Sequence, residues 1–295
     1  LEDIMKFKVS EIFYSLQGEG RFTGVPSVFL RLFGCNFECA GFGLAKGEKS
    51  DEVNKIIRLV EQDPDKYKKL EDLPLVTTGC DSYASWHPKF KKYSPTYDVD
   101  TLVGKLTALI PNNTWQQDNG SDIHLVVTGG EPLLGWQRVY SKLLEHEGMG
   151  NLKNITFETN GTQKLHDDFK MFFHKWKERS HNYHNITFSV SPKLSASGEA
   201  WSEAILPEVV AEYNWIGNTY LKFVVENDQH MAEVDEAVNA YRKAGVTGNV
   251  YIMPVGGVAE AYNQNNKRVA EYALSKGYRY SPRLHVDIWG NSWST

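Results

Sequence analysis

Six short apolar segments alternate with segments of helical pattern along most of this chain. The apolar segments, which we predict as strands, occupy 27–33, 123–127, 155–158, 186–190, 221–225 and 250–253, and a last strand is predicted at 278–289. Amphipathic patterns typical of helices occupy 99–110, 136–146, 167–178, 202–214, 231–244 and 258–275. Strands that are apolar on both faces belong to a parallel sheet covered by helices. Six such units suit an α/β fold of the partial (β/α)6 barrel type, and a doubly wound sheet is the alternative.

Composition bounds the class of protein. The chain has 295 residues, of which 41% are hydrophobic and 23% charged, as expected for a globular domain. Its net charge is −5 and it has no basic run, so we expect a small-molecule substrate and no direct contact with nucleic acid. No apolar run is long enough to span a bilayer and the first residues lack the features of a signal peptide, so we expect a cytoplasmic protein without a membrane partner.

We expect a single domain over residues 5–295. Residues 1–4 precede Met5 and a strand-like segment, so we interpret them as a remnant or upstream extension outside the fold. Residues 41–74 are rich in charged side chains and include one amphipathic stretch, and we interpret them as an insertion. Three cysteines do not suit a disulfide framework and are usual in a reducing compartment.

Candidate chemistry gathers around the first core strand. Glu19 stands between two glycines before this strand, Arg31 lies within it, and Cys35 and Cys39 follow it directly. In β/α barrels the active site lies at the C-terminal ends of the strands. Two thiolates in a Cys-x3-Cys arrangement can bind one metal centre but do not complete it. Cys80 is the remaining cysteine and therefore the candidate for a further ligand.

These motifs resemble those of the 7-carboxy-7-deazaguanine synthases, which are radical S-adenosylmethionine (SAM) enzymes of the 7-deazapurine pathway. That family has a Leu-Gln-Gly-Glu-Gly loop, found here at 16–20, a strand with an arginine, and a Gly-Cys-Asn segment, found here at 34–36. Its third cluster cysteine lies in a Trp-Cys-Asp-Thr segment, which the Gly-Cys-Asp-Ser sequence at 79–82 resembles. The chain is therefore similar to a divergent member with an insertion between the second and third cluster cysteines.

The resemblance implies a [4Fe–4S] cluster with three cysteine ligands and one iron open to SAM. The usual spacing, Cys-x3-Cys-x2-Cys, would place the third ligand at position 42, which is a phenylalanine. We predict that Cys80 replaces it after a gap of 40 residues and joins Cys35 and Cys39. Loop-closure entropy grows slowly with length, so the insertion is tolerable. A structural zinc site and unrelated buried thiols are the alternatives, although zinc prefers four ligands.

SAM would contact segments that follow three predicted strands. The Gly-Gly-Glu-Pro motif at 129–132 matches family residues that contact the SAM amino group, with the glutamate as charge partner. The segments that end the third and fourth strands resemble others on the SAM side. The resemblance thus implies SAM contacts by Gly129, Gly130, Glu131, Glu158, Asn160, Ser191 and Lys193. Each motif taken alone equally suits a turn.

The same resemblance implies a subsite for a bicyclic pterin that carries a carboxylate. Gln17 and Glu19 match positions that bind its aminopyrimidinone edge, and Arg31 matches the position that pairs with the carboxylate. Ser82 stands where the family has a Mg²⁺-binding threonine, and serine keeps the hard oxygen that this ion prefers. His285 belongs to a closing segment that approaches the substrate. A Glu19–Arg31 ion pair, a turn serine and a core histidine are the alternatives.

The family's activity supplies the expected function. The reduced cluster would cleave SAM to a 5′-deoxyadenosyl radical, which abstracts hydrogen from C6 of 6-carboxy-5,6,7,8-tetrahydropterin. A Mg²⁺-dependent ring contraction with loss of ammonia would give 7-carboxy-7-deazaguanine, for modification of tRNA or DNA. The resemblance also implies an electron donor, such as a flavodoxin or ferredoxin, and a homodimer. The rivals are another small radical SAM enzyme, such as a glycyl-radical activating enzyme, and an inactive binding or regulatory relative.

Overall fold

The computed structural model describes residues 6–178, 184–256 and 259–295, so that residues 1–4 lie outside the described part. The described strands are β1 (Lys6–Leu16), β2 (Pro26–Leu32), β3 (Thr96–Asp98), β4 (His124–Gly129), β5 (Asn154–Thr159), β6 (Asn185–Val190), β7 (Asn218–Val225), β8 (Val250–Pro254) and β9 (Arg279–Tyr280). The described α-helices are α1 (Glu52–Gln62), α2 (Val99–Thr107), α3 (Tyr140–Glu145), α4 (Asp167–Glu178), α5 (Trp201–Ala204), α6 (Pro207–Ile216), α7 (Asp228–Lys243), α8 (Ala259–Lys276) and α9 (Leu284–Trp289). Within these ranges, no helix has both the length and the apolar character needed to cross a bilayer.

The described strands form one sheet in the order β3-β1-β2-β4-β5-β6-β7-β8-β9. The strands from β2 through β9 in this order pair in parallel, whereas β1 pairs antiparallel with both β2 and β3. The six predicted core strands are confirmed, and they follow one another in sequence order across the sheet. A doubly wound sheet would reverse that order at a switch point. The partial barrel is therefore confirmed, and in the described residues its sheet remains open, with β3 and β9 as its edges.

Side chains along each strand point alternately to the two faces of the sheet. One face is covered by helices, and the other lines a cavity. In β2, Val28 and Leu30 belong to the main apolar core, while Arg31 faces the cavity. In β7, Leu221 belongs to the same core and Lys222 faces the cavity. Neighbouring residues of a strand point to opposite faces, so one short segment supplies both stability and chemistry. Each fully buried aliphatic or aromatic side chain contributes roughly 1.5–3 kcal/mol to the core.

Residues 41–74, which we predicted to be an insertion, contribute to a second, smaller core beside the barrel. Ile56 of α1 packs there with Tyr83 and with other apolar side chains of the segment that follows. The start of this segment lies beside the chain that follows it, because the backbone N–H of Gly79 donates to the carbonyl oxygen of Phe42 at 2.8 Å. The residues before and after this segment are therefore close together in space.

Two local predictions differ from the structure. The helix predicted at 202–214 is divided into α5 and α6, because Pro207 has no backbone N–H to continue a helix and instead begins a new one. The last strand predicted at 278–289 is wrong for all but two residues, which form β9. The chain then passes through Pro282 and enters α9. His285 therefore lies on a helix and not on an apolar strand.

Candidate active site

A cavity of about 540 Å³ lies at the C-terminal ends of the parallel strands. All the predicted site residues except Glu131 line it: Gln17, Glu19, Arg31, Cys35, Cys39, Cys80, Ser82, Gly129, Gly130, Glu158, Asn160, Ser191, Lys193 and His285. Parallel strands bring their carboxyl ends to one edge of a sheet, which explains why segments far apart in sequence meet there.

The three cysteines line this cavity together. Cys39 is buried beside Phe37, and Cys35 and Cys80 are partly buried against the same small apolar cluster. Burial disfavours the thiolate form and raises the pKa of Cys35 to about 12 and that of Cys80 to about 11. In such surroundings a metal that replaces the proton stabilises the thiolate. The long gap in sequence therefore does not keep Cys80 away from the other two thiols.

The donor set fits an iron–sulfur cluster better than a single metal ion. Within 6–178, 184–256 and 259–295, no three His, Cys, Asp or Glu side chains converge closely enough to hold one ion. In a cluster each thiolate binds its own iron, so the cysteines surround the group without meeting at a point. Three sulfur donors around one cavity match that requirement.

Hydrogen bonds support the loop that carries the first two cysteines. The Glu199 carboxylate accepts from the backbone N–H of Glu38 at 3.0 Å and from that of Cys39 at 2.7 Å. The backbone N–H of Phe37 donates to Cys35 Sγ at 3.4 Å. Cys39 has a φ of +51°, a conformation that residues other than glycine rarely adopt. The two bonds to Glu199 stabilise this unusual turn.

The Gly-Gly-Glu-Pro segment packs directly against the first cysteine loop. A Cβ on Gly130 would collide with the backbone carbonyl of Gly34 and would crowd the side chain of Cys35. The backbone N–H of Glu131 donates to the same carbonyl oxygen at 2.7 Å. The glycine is therefore required by a close approach of two backbones, which a turn alone would not demand.

Glu131 is the exception among the predicted site residues. It is 0% exposed, and its carboxylate accepts from the backbone N–H of Leu133 at 3.0 Å, the hydroxyl of Thr159 at 2.8 Å and the backbone N–H of Asn160 at 2.7 Å. Burial raises its pKa in spite of these bonds. In this position the carboxylate joins the ends of β4 and β5, and it is not exposed to the cavity where SAM was predicted to contact it.

Two cations hold Glu19. Lys222 Nζ donates to Glu19 Oε2 at 2.5 Å, and Arg283 Nε donates to Glu19 Oε1 at 3.1 Å. Burial opposes ionisation of Glu19, but the two positive charges outweigh it and hold its pKa below the ordinary value. Burial likewise opposes the charge of Lys222, and Glu19 outweighs it, so that the pKa of Lys222 is raised. Glu19 is therefore an ionised acceptor of fixed orientation.

Gln17 and Glu158 lie together beside this carboxylate. Gln17 Nε2 donates to Glu158 Oε1 at 3.2 Å, and Gln17 Oε1 accepts from the backbone N–H of Glu19 at 3.1 Å. Glu158 and Asn160 were predicted together on the SAM side. The side chain of Asn160 instead donates to Asn36, in the cysteine loop, at 2.9 Å. Glu158 therefore bonds to a predicted substrate residue and Asn160 to the cysteine loop, and both line the same cavity.

Arg31 pairs with Glu11 and not with Glu19. Its Nε donates to Glu11 Oε2 at 2.7 Å, and its Nη1 donates to Ser82 Oγ at 3.1 Å. Ser82 Oγ in turn donates to Asp81 Oδ1 at 3.2 Å. The Glu19–Arg31 ion pair considered as an alternative is thus replaced by a pair with a different carboxylate. Arg31 and Ser82 remain adjacent on the cavity surface, as a shared role would require.

His285 lies in the first turn of α9 and reaches the loop that carries Glu19. A Cβ on Gly18 would collide with the imidazole ring, so this glycine makes room for it. His285 Nε2 lies 3.4 Å from Arg283 Nη2 and 3.9 Å from Glu19 Oε1. Burial, assisted by the charge of Arg283, lowers the pKa of His285 to about 4. The imidazole is therefore neutral near neutral pH.

Comparison with known proteins identifies the family, although no family model matches the sequence. A 7-carboxy-7-deazaguanine synthase from Halobacterium salinarum is 30% identical over 97% of this chain and 92% of its own length. The chain belongs to the 7-carboxy-7-deazaguanine synthase family. The synthase of this name from Pyrobaculum aerophilum is 28% identical over 97% of this chain and 96% of its own length. The resemblance seen in the cysteine and Leu-Gln-Gly-Glu-Gly motifs is thus confirmed over that to a glycyl-radical activating enzyme.

A solved structure supports the fold of this 7-carboxy-7-deazaguanine synthase family member. QueE from Escherichia coli aligns with a TM-score of 0.51 over 95% of both chains, with 20% sequence identity. That match covers the partial barrel and is independent of the motifs discussed above. The open sheet with parallel core strands is therefore a fold that this chain shares with that structure.

Four charged residues that form ion pairs at this synthase family site had no role assigned from the sequence: Glu11, Asp81, Lys222 and Arg283. The sequence offered a way to recognise Lys222, because it is a charged residue at a cavity-facing position of an otherwise apolar strand. Arg283 belongs to the closing segment and stands two positions before His285. Glu11 does not belong to any of the motifs described above, and its place in the site is recognised from its bond with Arg31.

Proposed function

We propose that this chain is a 7-carboxy-7-deazaguanine synthase, a radical SAM lyase that converts 6-carboxy-5,6,7,8-tetrahydropterin to 7-carboxy-7-deazaguanine with loss of ammonia. The observation that carries the proposal is the convergence of three separated cysteines on the cavity that also holds Gln17 and Glu19. Cluster chemistry requires the thiols, and a polar heterocycle requires the amide and the carboxylate. The named relatives support the same activity.

Cys35, Cys39 and Cys80 would hold a [4Fe–4S] cluster with one iron left for SAM. When bound, the two cofactors supply the hydrogen abstraction at C6 of the pterin, while the protein positions the reactants and excludes water. The loop supported by Glu199 fixes the first two thiols. Cys80 completes the set from the far end of the insertion.

SAM would bind beside these thiols. Gly129 and Gly130 line the cavity where β4 ends, and the amino acid part of SAM would approach the backbone there. Asn160, Ser191 and Lys193 line the same cavity. The positive charge of Lys193 acts on all three cysteines, which indicates that it lies near the cluster ligands. A cation in that place suits the carboxylate of SAM.

The pterin would bind on the side of Glu19. After its bonds with Lys222 and Arg283, each oxygen of this carboxylate keeps lone-pair capacity for an N–H group of the aminopyrimidinone. Gln17 offers a donor and an acceptor next to it. We assign Glu158 to the same substrate subsite because it bonds to Gln17.

Arg31 and Ser82 would bind the carboxylate end of the pterin. Arg31 would pair with the substrate carboxylate through its planar fork. Ser82 Oγ and the neighbouring Asp81 offer hard oxygen ligands for a Mg²⁺ ion that this carboxylate also binds. His285, as a neutral imidazole near Glu19, would make one hydrogen bond to the heterocycle.

We also propose the partners that the resemblance implies. A one-electron donor, such as a flavodoxin or ferredoxin, would reduce the cluster. The free thiols suit a reducing, cytoplasmic compartment. The active protein would be a homodimer.

Anaerobic reconstitution with iron and sulfide, followed by incubation with the carboxypterin, SAM, Mg²⁺ and a reductant, tests the function. We expect 5′-deoxyadenosine and 7-carboxy-7-deazaguanine, detected by mass spectrometry and absent when SAM is omitted. A protein that holds a cluster and cleaves SAM but leaves the pterin intact would contradict the substrate. A protein that binds no cluster would be the inactive relative.

A further inference from the structure

The third cysteine is held differently from the first two. Cys35 and Cys39 share one short loop, so the chain itself limits the distance between them. Cys80 follows an excursion of 40 residues that packs into its own small core. A ligand at the end of so long a segment has to be placed by the non-covalent contacts of its neighbours.

Asp81, the residue after Cys80, makes the charged contact of this segment. Its Oδ2 accepts from Arg283 Nη2 at 2.8 Å, and its Oδ1 accepts from the Ser82 hydroxyl at 3.2 Å. On the other side of the cysteine, the backbone bond from Gly79 anchors the chain to the start of the insertion. Arg283 is therefore the charged link between Asp81 and the barrel. It acts beside the bond from Arg31 Nη1 to Ser82 Oγ at 3.1 Å and the backbone bond from Gly34 to the Ser85 carbonyl at 2.7 Å.

Arg283 is well placed to act as an anchor because it is fixed on several sides. The residue is 7% exposed, and its Nε donates to Glu19 Oε1 at 3.1 Å. Its Nη1 donates to the carbonyl oxygen of Gly256, and its backbone N–H donates to the Tyr262 hydroxyl at 3.0 Å. A planar guanidinium held in this way points its remaining edge toward Asp81.

We propose that Arg283 is a positioning residue for the iron–sulfur site, which holds Cys80 at the third ligand position through Asp81. The inference rests on the proposed function for the presence of the cluster. In an uninterrupted motif, the short spacing between the cysteines keeps the third one near the other two. In this chain, Arg283 has that function. Since the same guanidinium binds Glu19, it also connects the predicted substrate subsite with the segment that carries Cys80.

The test is reconstitution of Arg283→Met under anaerobic conditions. Iron and sulfide per chain are measured chemically, and the reduced protein is examined by low-temperature EPR before SAM or pterin is added. We expect less than half of the parent's iron and an altered EPR spectrum, because Cys80 loses its anchor. Arg283→Lys keeps the charge but not the fork, and we expect it to recover part of the iron.

Lys222→Met is the matched control for iron content. This substitution removes the other cation that binds Glu19. The Lys222 ammonium bonds to Glu19, whereas Asp81 is bonded by Arg283. We expect this variant to keep the parent's iron content and EPR spectrum, whatever happens to its activity. A loss of iron equal to that of Arg283→Met would overturn the inference, because disturbance of Glu19 would then be sufficient.

The other outcomes also decide the matter. An Arg283→Met protein with the parent's iron content and EPR spectrum would overturn the inference. If circular dichroism shows that this variant does not fold, Asp81→Asn decides in its place: reduced iron supports the inference, and the parent's iron content refutes it. A parent protein that binds no cluster would refute the proposed function as well, whereas a loaded parent beside unaffected variants would refute this inference alone.

Discussion

The cavity has two walls built from opposite kinds of side chain. The cluster wall consists of buried or partly buried thiols: Cys35, Cys39 and Cys80. The ionic wall consists of paired charges of both signs: Glu19, Asp81, Lys222 and Arg283. Burial dominates in the cluster wall and raises the thiol pKa values, whereas ion pairs outweigh burial in the ionic wall and lower the carboxyl pKa values. The cluster wall thus suits a ligand that replaces protons, while the ionic wall already balances its charges within the protein.

This difference predicts different consequences of substitution in the two walls. A buried ion pair adds little net stability, but removal of one partner leaves an uncompensated charge and costs about 3–5 kcal/mol. A buried thiol has no such partner, and its loss removes a metal ligand. We therefore expect changes at Glu19 and Lys222 to act on stability and substrate affinity. Changes in the cluster wall, or in the Arg283–Asp81 pair next to Cys80, should act on cofactor content.

Of two matched changes, one in the ionic wall and one beside the cluster wall, the larger effect on stability is expected for Lys222→Met. It leaves Glu19 buried with one cation, and we expect the free energy of unfolding to fall by about 3 kcal/mol. Lys193→Met is the matched change beside the cluster wall, where the ammonium makes one long bond to Ser191 at 3.3 Å. There we expect a loss of about 0.5 kcal/mol. Anaerobic urea denaturation measures both, and equal losses would abolish the distinction between the walls.

Arg31→Lys should have a smaller effect, confined to substrate affinity. The lysine keeps the charge but cannot bond Glu11 and Ser82 through one planar fork. We expect KM for the carboxypterin to rise about tenfold, equivalent to about 1.4 kcal/mol, with iron content unchanged. Steady-state kinetics with the reconstituted protein measures it, and an unaltered KM would remove Arg31 from the substrate subsite.

Local patterns were sufficient to predict the barrel and to single out Cys80 as the cysteine that joins Cys35 and Cys39 at one cavity. The core strands are apolar runs whose burial depends on their own residues, and Cys80 was recognised from the sequence around it. The ionic wall was not recognised, because Lys222 and Arg283 stand 203 and 264 positions from Glu19. Such pairs exist only once the strands have brought their ends together.

The remaining differences also have physical causes. The alternating apolar and polar residues around His285 resemble a strand pattern, but Pro282 ends β9 and the following residues form α9. For Glu131 the motif indicated the correct loop but not the direction of the carboxylate. Backbone donors at Leu133 and Asn160 turn that side chain away from the cavity.

Ser82→Ala tests the border between the two walls. We expect the stimulation of activity by Mg²⁺ to fall a few-fold, because water replaces one neutral oxygen ligand. Ser82→Thr, which keeps the hydroxyl, is the control and should respond like the parent. A Mg²⁺ titration of activity distinguishes them, and identical curves for all three proteins would exclude Ser82 as a ligand.

The smallest effect concerns pH. The pKa of His285 is lowered to about 4, so the imidazole gains a proton only as the pH falls far below the ordinary histidine value of 6.5. Glu19 is ionised throughout the neutral range because its pKa is lowered as well. We therefore expect the profile of kcat/KM between about pH 6 and 8 to show no step that His285→Gln removes. A step near 6.5 that disappears in this variant would contradict a neutral imidazole.

The central claim is that the cluster wall is one iron–sulfur site completed by Cys80 across the insertion. The most direct measurement is the iron content of anaerobically reconstituted Cys80→Ala, compared with Cys35→Ala and the parent, together with cleavage of SAM to 5′-deoxyadenosine. The account predicts that both variants lose the four-iron cluster and SAM cleavage to the same extent. A Cys80→Ala protein that still binds four irons and cleaves SAM would contradict it and would place the third ligand elsewhere, near Phe42.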